Sequence, residues 1–345
     1  MSALERAWYQ QSSWAKTLLP LSYLFRGVAA ARKHYLQKRY QAKPFAVPVV
    51  VVGNIAVGGT GKTPLIISLV QSLQAAGIRP GIVSRGYGGQ PSKQPRKVNA
   101  EGPAEEFGDE PVLIAREAGC PVVIDSDRVA AVEFLLAEFD VDVVLSDDGL
   151  QHYRMHRDLE IAVLDARRGL GNGLCLPAGP LREPPERLAS VDFVVLNGEV
   201  DANTNTNINS PALPAVALNP AKRIQMTLQP TFFRHLRSGQ RVAANDWTGS
   251  HRVHALAGIG NPERFSMTLT ALGLAPQLHS FPDHHAFTQA DLEFDDDLPV
   301  VMTSKDAVKC EAFAGDNVWV LEVAAELEPV LVEAIQELIN STSTN

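Results

Sequence analysis

The most pronounced pattern along the chain is an unbroken β-branched run, Val49-Val50-Val51-Val52. A glycine-rich segment follows, and then Leu65, Ile66, Leu69, Val70 and Leu73 recur at helical spacing. A short apolar run bounded by turn residues predicts a strand buried on both faces, and the recurrence after it predicts a helix that Gly77 stops. The alternation continues. Strands are predicted at 81–84, 121–124, 141–145, 161–164 and 193–196, and helices from Gly108-Asp109-Glu110-Pro111 and over 129–139, with a surface loop at 90–104. Strands alternating with helices predict a parallel α/β sheet covered on both faces. Residues 198–212 are rich in Asn and Thr and lack periodicity, which predicts an exposed loop or linker. A second set of strands is predicted at 253–257, 277–281, 300–303 and 318–323, with a closing helix near 329–339. Three units are expected: an N-terminal segment 1–43, a main α/β unit 44–215 and a smaller α/β unit 216–345.

The N-terminal segment differs in character from the rest. After Pro20, residues Leu21, Leu24, Phe25, Val28 and Tyr35 recur at helical spacing, which predicts an amphipathic helix, and Trp8, Tyr9, Trp14, Tyr23 and Tyr40 enrich the segment in aromatics. Of the chain's 31 basic and 39 acidic residues, residues 1–43 carry eight and one, leaving 23 and 38 for the body. A basic arm on an acidic body points to an anionic surface as the arm's partner and disfavours nucleic acid as a partner of the body. Only nine uncharged residues separate Lys16 from Arg26, too few to span a bilayer, which needs about 20. No small-residue cleavage site follows an apolar core, so no cleaved signal peptide is expected. A helix with basic flanks and aromatic anchors suits a membrane interface, and it equally suits packing on its own body with a solvated basic face. Spacing alone leaves both open. Cys120, Cys175 and Cys310 form no C-x-x-C pair, which argues against a disulfide frame or a zinc site and for a reducing compartment.

The glycine-rich segment carries the chemistry. Ala56-Val57-Gly58-Gly59-Thr60-Gly61-Lys62-Thr63 lies between a predicted strand and helix, as a phosphate-binding P-loop does, except that Ala56 stands where the pattern has its first glycine. Backbone N–H groups would cradle a polyphosphate, Lys62 would reach the β- and γ-phosphates, and the Thr63 hydroxyl would ligate Mg²⁺. Val143-Val144-Leu145-Ser146-Asp147-Asp148 reads as a strand delivering acids on the metal side of such a loop. Transfer to a hydroxyl also needs a group that positions or deprotonates it, for which Asp109, Glu110, His284 and His285 are candidates. Arg85, Arg128, Arg167, Arg168 and Arg182 follow predicted strands or loops at the same edge, where arginine suits a phosphate clamp.

Taken in order, several motifs resemble one family. They are Val51-Val52-Gly53-Asn54 through Pro64, then Val83-Ser84-Arg85-Gly86-Tyr87-Gly88-Gly89, Gly108-Asp109-Glu110-Pro111 and Ser146-Asp147-Asp148-Gly149-Leu150-Gln151-His152-Tyr153. Leu176-Pro177-Ala178-Gly179-Pro180-Leu181-Arg182-Glu183, Ala257-Gly258-Ile259-Gly260-Asn261-Pro262, Asp283-His284 and Thr303-Ser304-Lys305-Asp306-Ala307-Val308-Lys309 complete the series. The chain resembles the tetraacyldisaccharide 4'-kinases, the lipid A 4'-kinases of Gram-negative bacteria, along nearly its whole length. The resemblance implies a P-loop NTPase-like parallel sheet, ATP and Mg²⁺ as cofactors, and phosphorylation of the 4'-hydroxyl of a tetraacylated disaccharide 1-phosphate to give lipid IVA. It implies a peripheral place at the cytoplasmic face of the inner membrane, held by the N-terminal helix, with no obligate protein partner. It matches Asp109 and His284 to the acceptor-activating residues, Asp147 and Asp148 to the magnesium-side acids, and Glu110 to a metal-assisting position. Arg85, Tyr87, Arg128, Gln151, His152 and Arg182 match polar positions around the substrate. The competing reading of the residues is a P-loop ATPase acting as a switch or assembly factor at the membrane, with water as nucleophile.

Overall fold

The structure is a computed structural model that describes residues 3–10, 13–198 and 222–342. Its central strand is β1 (Val49–Gly53), buried at all five positions. Val50 and Val52 pack into the apolar layer on one face of the sheet, and Val49 and Val51 into the layer on the other. A strand covered on both faces needs no polar alternation, and this explains the unbroken valine run.

In chain order, α1 (Ala3–Tyr9) and α2 (Leu19–Tyr40) precede β1, and α3 (Lys62–Ala75), β2 (Pro80–Ser84), β3 (Arg96–Lys97), α4 (Ala104–Phe107) and α5 (Asp109–Ala118) follow it. Next come β4 (Val122–Ile124), α6 (Arg128–Glu138), β5 (Val143–Asp147), β6 (Leu159–Asp165) and β7 (Phe193–Asn197). Beyond residue 222 lie β8 (Arg223–His235), β9 (Arg241–Ala243), β10 (Arg252–Ala257), α7 (Pro262–Ala271) and β11 (Ala275–Ser280). The described chain closes with β12 (Val300–Thr303), α8 (Ser304–Cys310), β13 (Val318–Leu327) and α9 (Val330–Thr342). The predicted elements up to β7 are present, with boundaries shifted by one or two residues. The loop at 90–104 contains the two-residue strand β3, which lies antiparallel to β4. Of the expected linker at 198–212, all but Gly198 falls outside the described residues.

Both sets of strands join one sheet, in the order β11-β10-β12-β13-β8-β7-β6-β1-β5-β2-β4-β3, with β9 beside β8. The strands from β7 through β4 in this order are parallel, as predicted. Strand β8 runs parallel to β7 and antiparallel to β13, and β12, β10 and β11 then run parallel to β13. This one reversal brings the carboxyl ends of the two parallel sets to opposite sides of a cleft, the place where open α/β sheets bind ligands. The 13-residue strand β8 was not expected from the sequence. Its burial is irregular and it contains Pro230, which sits opposite Val323 at a register shift in β13, where a missing N–H is tolerated.

The N-terminal helix packs one face on the body, as one reading of its sequence has it, and leaves a second apolar face exposed. Ser22 is buried and donates to the Cys175 carbonyl (2.8 Å), while Phe25, Ala29, Lys33 and Leu36 continue a half-buried stripe at spacings of three and four. In α1, Trp8 is buried and its indole N–H donates to the Pro177 carbonyl (3.0 Å). Leu21, Tyr23, Leu24, Val28 and Tyr35 point outward, so the expected stripe divides, with Phe25 on the body side and its other members in the exposed set. Among the described residues, no helix is long and apolar enough to cross a membrane.

Candidate active site

Between β1 and α3 the chain makes the expected loop, with Gly58 (φ 105°) and Gly61 (φ 91°) in the left-handed region that glycine tolerates. Ala56 has ordinary backbone geometry. It forms a bridge to Leu181 and its methyl is buried, so nothing at this position calls for a glycine. Val57 donates to the Pro180 carbonyl (2.9 Å) and Arg182 to the Ile55 carbonyl (2.6 Å), so the 176–183 segment braces the loop from below. Lys62 opens α3, and its ammonium lies 3.4 Å from Asp148, which also pairs with Arg182 at 2.8 Å. Asp148 occupies a left-handed conformation (φ 47°), which aspartate adopts more readily than most non-glycine residues. Burial works against its charge, but Lys62 and Arg182 outweigh burial and hold the carboxyl down at about 2.

Asp147 ends β5, adjacent to the phosphate loop's strand. Ser84 donates to its Oδ2 (2.9 Å), while the buried Oδ1 has no partner. Burial, Glu110 and Asp148 push this carboxyl up to about 6. A buried carboxylate oxygen without a donor, in the cleft that Thr63 also lines, fits a hard divalent cation. Among the described residues, no three His, Cys, Asp or Glu side chains form a ready-made metal cage. Magnesium does not need one, because it keeps waters and borrows phosphate oxygens from the nucleotide.

From the far side of the cleft, the turn after β11 brings His284 to Asp109 at the start of α5. The imidazole Nδ1 lies 3.0 and 3.2 Å from the two carboxylate oxygens, although 175 residues separate the pair. Asp109 is almost wholly buried. Burial raises its carboxyl, yet the His284 hydrogen bond with Lys305 and Lys309 nearby leaves it below its ordinary value. His284 is raised above its ordinary value, chiefly by the Asp109 hydrogen bond. It is held at φ 60°, with the Tyr87 ring centroid 4.9 Å from its own. With Nδ1 facing the carboxylate, Nε2 is the nitrogen left to take a proton.

The other expected site residues fall into two groups. Arg85, Tyr87, Glu110, Gln151, His152, Arg182 and Arg128 all line one cleft of about 1760 Å³ together with the phosphate loop and His284. Several of them hold the frame. Arg128 is 2% exposed and donates to the Asp125 and Asp147 carbonyls (2.8 and 2.9 Å), tying the ends of β4 and β5 together. Gln151 donates to the Asn54 carbonyl (3.2 Å) and to Glu183 (2.7 Å). Burial, Arg128 and Arg85 push the His152 imidazole down to about 4, so it is neutral near pH 7. His285 stacks on Phe281 and faces Asp291, on the other side of the turn from His284. Arg167 reaches Met267, and Arg168 donates to the Gly260 carbonyl (2.7 Å), closing the loop after β10 over the phosphate loop. There a Cβ on Gly260 would overlap the Gly59 nitrogen.

Two groups were not anticipated. Lys305 on α8 bridges Glu110 (2.8 Å) and Asp283 (3.0 Å), and Lys309 one turn on lies 4.0 Å from Asp109, so α8 supplies the positive charge around the dyad. The signal was the four-residue spacing of lysines in Thr303-Ser304-Lys305-Asp306-Ala307-Val308-Lys309. The second group is Asn197, which donates to the Thr60 carbonyl (2.9 Å) and accepts from Arg264 (2.7 Å), linking β7, the phosphate loop and α7.

A phosphate loop with its lysine, a buried aspartate beside it and an Asp–His pair in the same cleft define a P-loop phosphotransferase. The comparisons specify which one. The family described as tetraacyldisaccharide-1-P 4'-kinase matches residues 14–340, and the chain belongs to it. It is 48% identical to a tetraacyldisaccharide 4'-kinase of Pseudomonas aeruginosa over 96% of each chain, and 45% identical to that of Hahella chejuensis over 98% of this chain and 96% of the other. The crystal structure of LpxK from Aquifex aeolicus in complex with ATP superposes with a TM-score of 0.74 at 28% identity, covering 95% of this chain and 99% of that one.

Proposed function

We infer that His284, oriented by Asp109, activates the acceptor in this kinase. The chain transfers a phosphoryl group from ATP to the 4'-hydroxyl of tetraacyldisaccharide 1-phosphate, yielding lipid IVA in lipid A biosynthesis. The observation that carries the role of His284 is its 3.0 Å contact with Asp109 in the same cleft as Lys62. As the 4'-oxygen attacks, its proton passes to Nε2 of His284, the new O–P bond forms and the bond between the γ-phosphorus and the β,γ-bridging oxygen breaks, releasing ADP. Lys62 leaves Asp148 for the β- and γ-phosphates, where it offsets their charge. Thr63 and Asp147 would hold Mg²⁺, with Glu110 nearby. The metal, when bound, neutralises charge developing on the phosphate oxygens. Asp109 keeps Nδ1 protonated and stabilises the imidazolium.

The exposed apolar residues of α2 support a peripheral position on the cytoplasmic face of the inner membrane, with Leu21, Leu24, Val28 and Tyr35 entering the interface. The test of the reaction is incubation with γ-labelled ATP and the disaccharide 1-phosphate in detergent micelles, followed by assignment of the labelled hydroxyl. Label on the 4'-oxygen is expected. Phosphate release to water at the same rate with and without the acceptor would instead support an ATP-driven switch.

A further inference from the structure

His284 is oriented as a base only while Asp109 keeps its oxygens for the imidazole, and Lys309 stands close enough to compete for them. We propose, on the kinase reading above, that Asp306 of α8 is a positioning residue for this pair. One of its oxygens draws Lys309 off Asp109, and the other fixes the loop that closes over the phosphate loop.

Asp306 has no exposed surface, and a carboxylate so placed must be compensated. Its Oδ1 accepts from the Lys309 ammonium at 3.1 Å, and its Oδ2 from the Gly258 N–H at 3.0 Å and the Thr303 hydroxyl at 2.8 Å. Helix capping alone does not account for this arrangement. Thr303 caps α8 by accepting from the Asp306 N–H, and in a full capping box the carboxylate would return to the N–H of Thr303. Here it is turned to Gly258 and Lys309 instead.

The lysine stands between two acids. Its ammonium is 3.1 Å from Asp306 and 4.0 Å from Asp109, so it bonds the first and only faces the second. The Phe287 ring supports it from one side, with its centroid 4.9 Å from Nζ. Both Asp109 oxygens are thereby left to His284, at 3.0 and 3.2 Å from Nδ1. An ammonium has three donors, and a charge-assisted bond to Asp109 would displace the imidazole if nothing else held the lysine. Lys305 is restrained in the same way, by Glu110 and Asp283.

The other oxygen of Asp306 reaches the nucleotide side. Strand β10 ends at Ala257, and the peptide unit joining it to Gly258 is bonded at both ends. Its carbonyl accepts from the Phe281 N–H (2.9 Å), where the turn carrying His284 begins, and its N–H donates to Asp306. Two residues on, Gly260 meets Gly59 of the phosphate loop. A Cβ on Gly258 would stand 3.0 Å from Asp306 Oδ1 and 3.2 Å from the Phe287 ring, so this approach needs glycine. One buried carboxylate therefore sets both the loop over the nucleotide and the cation beside the base.

The experiment measures kcat at saturating acceptor in detergent micelles, and KM for ATP, at the pH of each variant's maximum rate. A thermal melt of the full chain accompanies each variant. Asp306→Asn keeps an acceptor for the Gly258 N–H but gives up the charge that holds Lys309. Its kcat should fall about tenfold, with KM for ATP within about twofold of the parent. Adding Lys309→Met removes the competitor, and kcat should recover to within about threefold of the parent. Pairing Lys309→Met with Asp306→Ala further removes the acceptor for Gly258, and should raise KM for ATP about threefold or more. Lys309→Arg, whose longer fork can bond both acids at once, should have a lower kcat than Lys309→Met. That comparison decides the matter even where the Asp306 variants do not fold. A carboxylate that merely stabilises α8 gives a different pattern: a lower melting temperature, an unchanged kcat in Asp306→Asn and no recovery in the pair. That pattern, or a higher kcat in Lys309→Arg than in Lys309→Met, would overturn the proposal. Equal KM for ATP in the two pairs would overturn the link to the loop. A parent chain that labels no acceptor sinks the kinase reading itself, a distinguishable result.

Discussion

At the scale of single residues, the site divides by how local its chemistry is. Lys62, Thr63, Asp147 and Asp148 were legible because each belongs to one short segment whose flanking strand or helix is visible in the hydrophobic pattern. The Asp109–His284 pair was not, since no spacing rule connects residues 175 apart, and only the family resemblance singled it out. Lys305 and Lys309 stayed hidden because a helical lysine pair reads as a solvated face until its acids are located. Replacing Lys62 with Ala should lower the transfer rate by about 10²–10³ in folded protein, since the phosphates lose a preorganised charge; a phosphorylation assay with a thermal melt checks both parts. The dyad predicts a pH dependence. A base must be neutral, and Asp109 raises the His284 imidazole, so the acid limb of kcat/KM should fall above the ordinary histidine value of about 6.5. In Asp109→Asn the imidazole loses its anionic partner, and the limb should move to lower pH while the maximum rate drops. A limb that stays in place would assign the titration to another group. In a double-mutant cycle, Asp109→Ala with His284→Ala should cost clearly less than the product of the single losses, because the two act as one unit. Multiplicative losses would separate them.

At the scale of elements, the sequence was most readable where a strand is covered on both faces, as in β1, β5 and β6. It was least readable in β8, whose mixed burial, polar positions and Pro230 mimic a loop. The helix α2 shows how one periodicity can serve two surfaces. Its apolar residues were counted as a single stripe, yet Phe25 packs on the body and Leu21, Leu24 and Val28 do not. Removing residues 1–40 would therefore strip a cleft wall as well as the proposed membrane contact, and a surface variant is the sharper probe. Substituting Leu21, Leu24 and Val28 together with Ser should weaken binding to anionic vesicles by about tenfold or more, given about 1.5–3 kcal/mol per buried aliphatic side chain. Turnover of a micelle-dispersed acceptor should change far less. Vesicle flotation with a parallel kinase assay checks the pair of outcomes, and undiminished flotation would place the membrane contact on another face.

At the scale of the whole molecule, the two halves meet through backbone as well as side chains. The Gly260 loop rests on Gly59, Arg168 holds its carbonyl, and Arg116 pairs with Glu311 across the halves at 2.5 Å. Gly260→Val should hold the halves apart, raise KM for ATP and lower kcat with little change in thermal stability; nucleotide titration followed by fluorescence would show it. The continuity of the sheet sets how such a separation proceeds. Strand β8 is bonded to β7 on one edge and to β13 on the other, so among the described residues the two halves share one hydrogen-bonded sheet. Parting them would twist the β8–β13 ribbon, most easily at the register shift beside Val323. Such a ribbon is a torsion spring, and it returns what is put into it. Any widening of the cleft would therefore be taken up as added twist in β8 and β13.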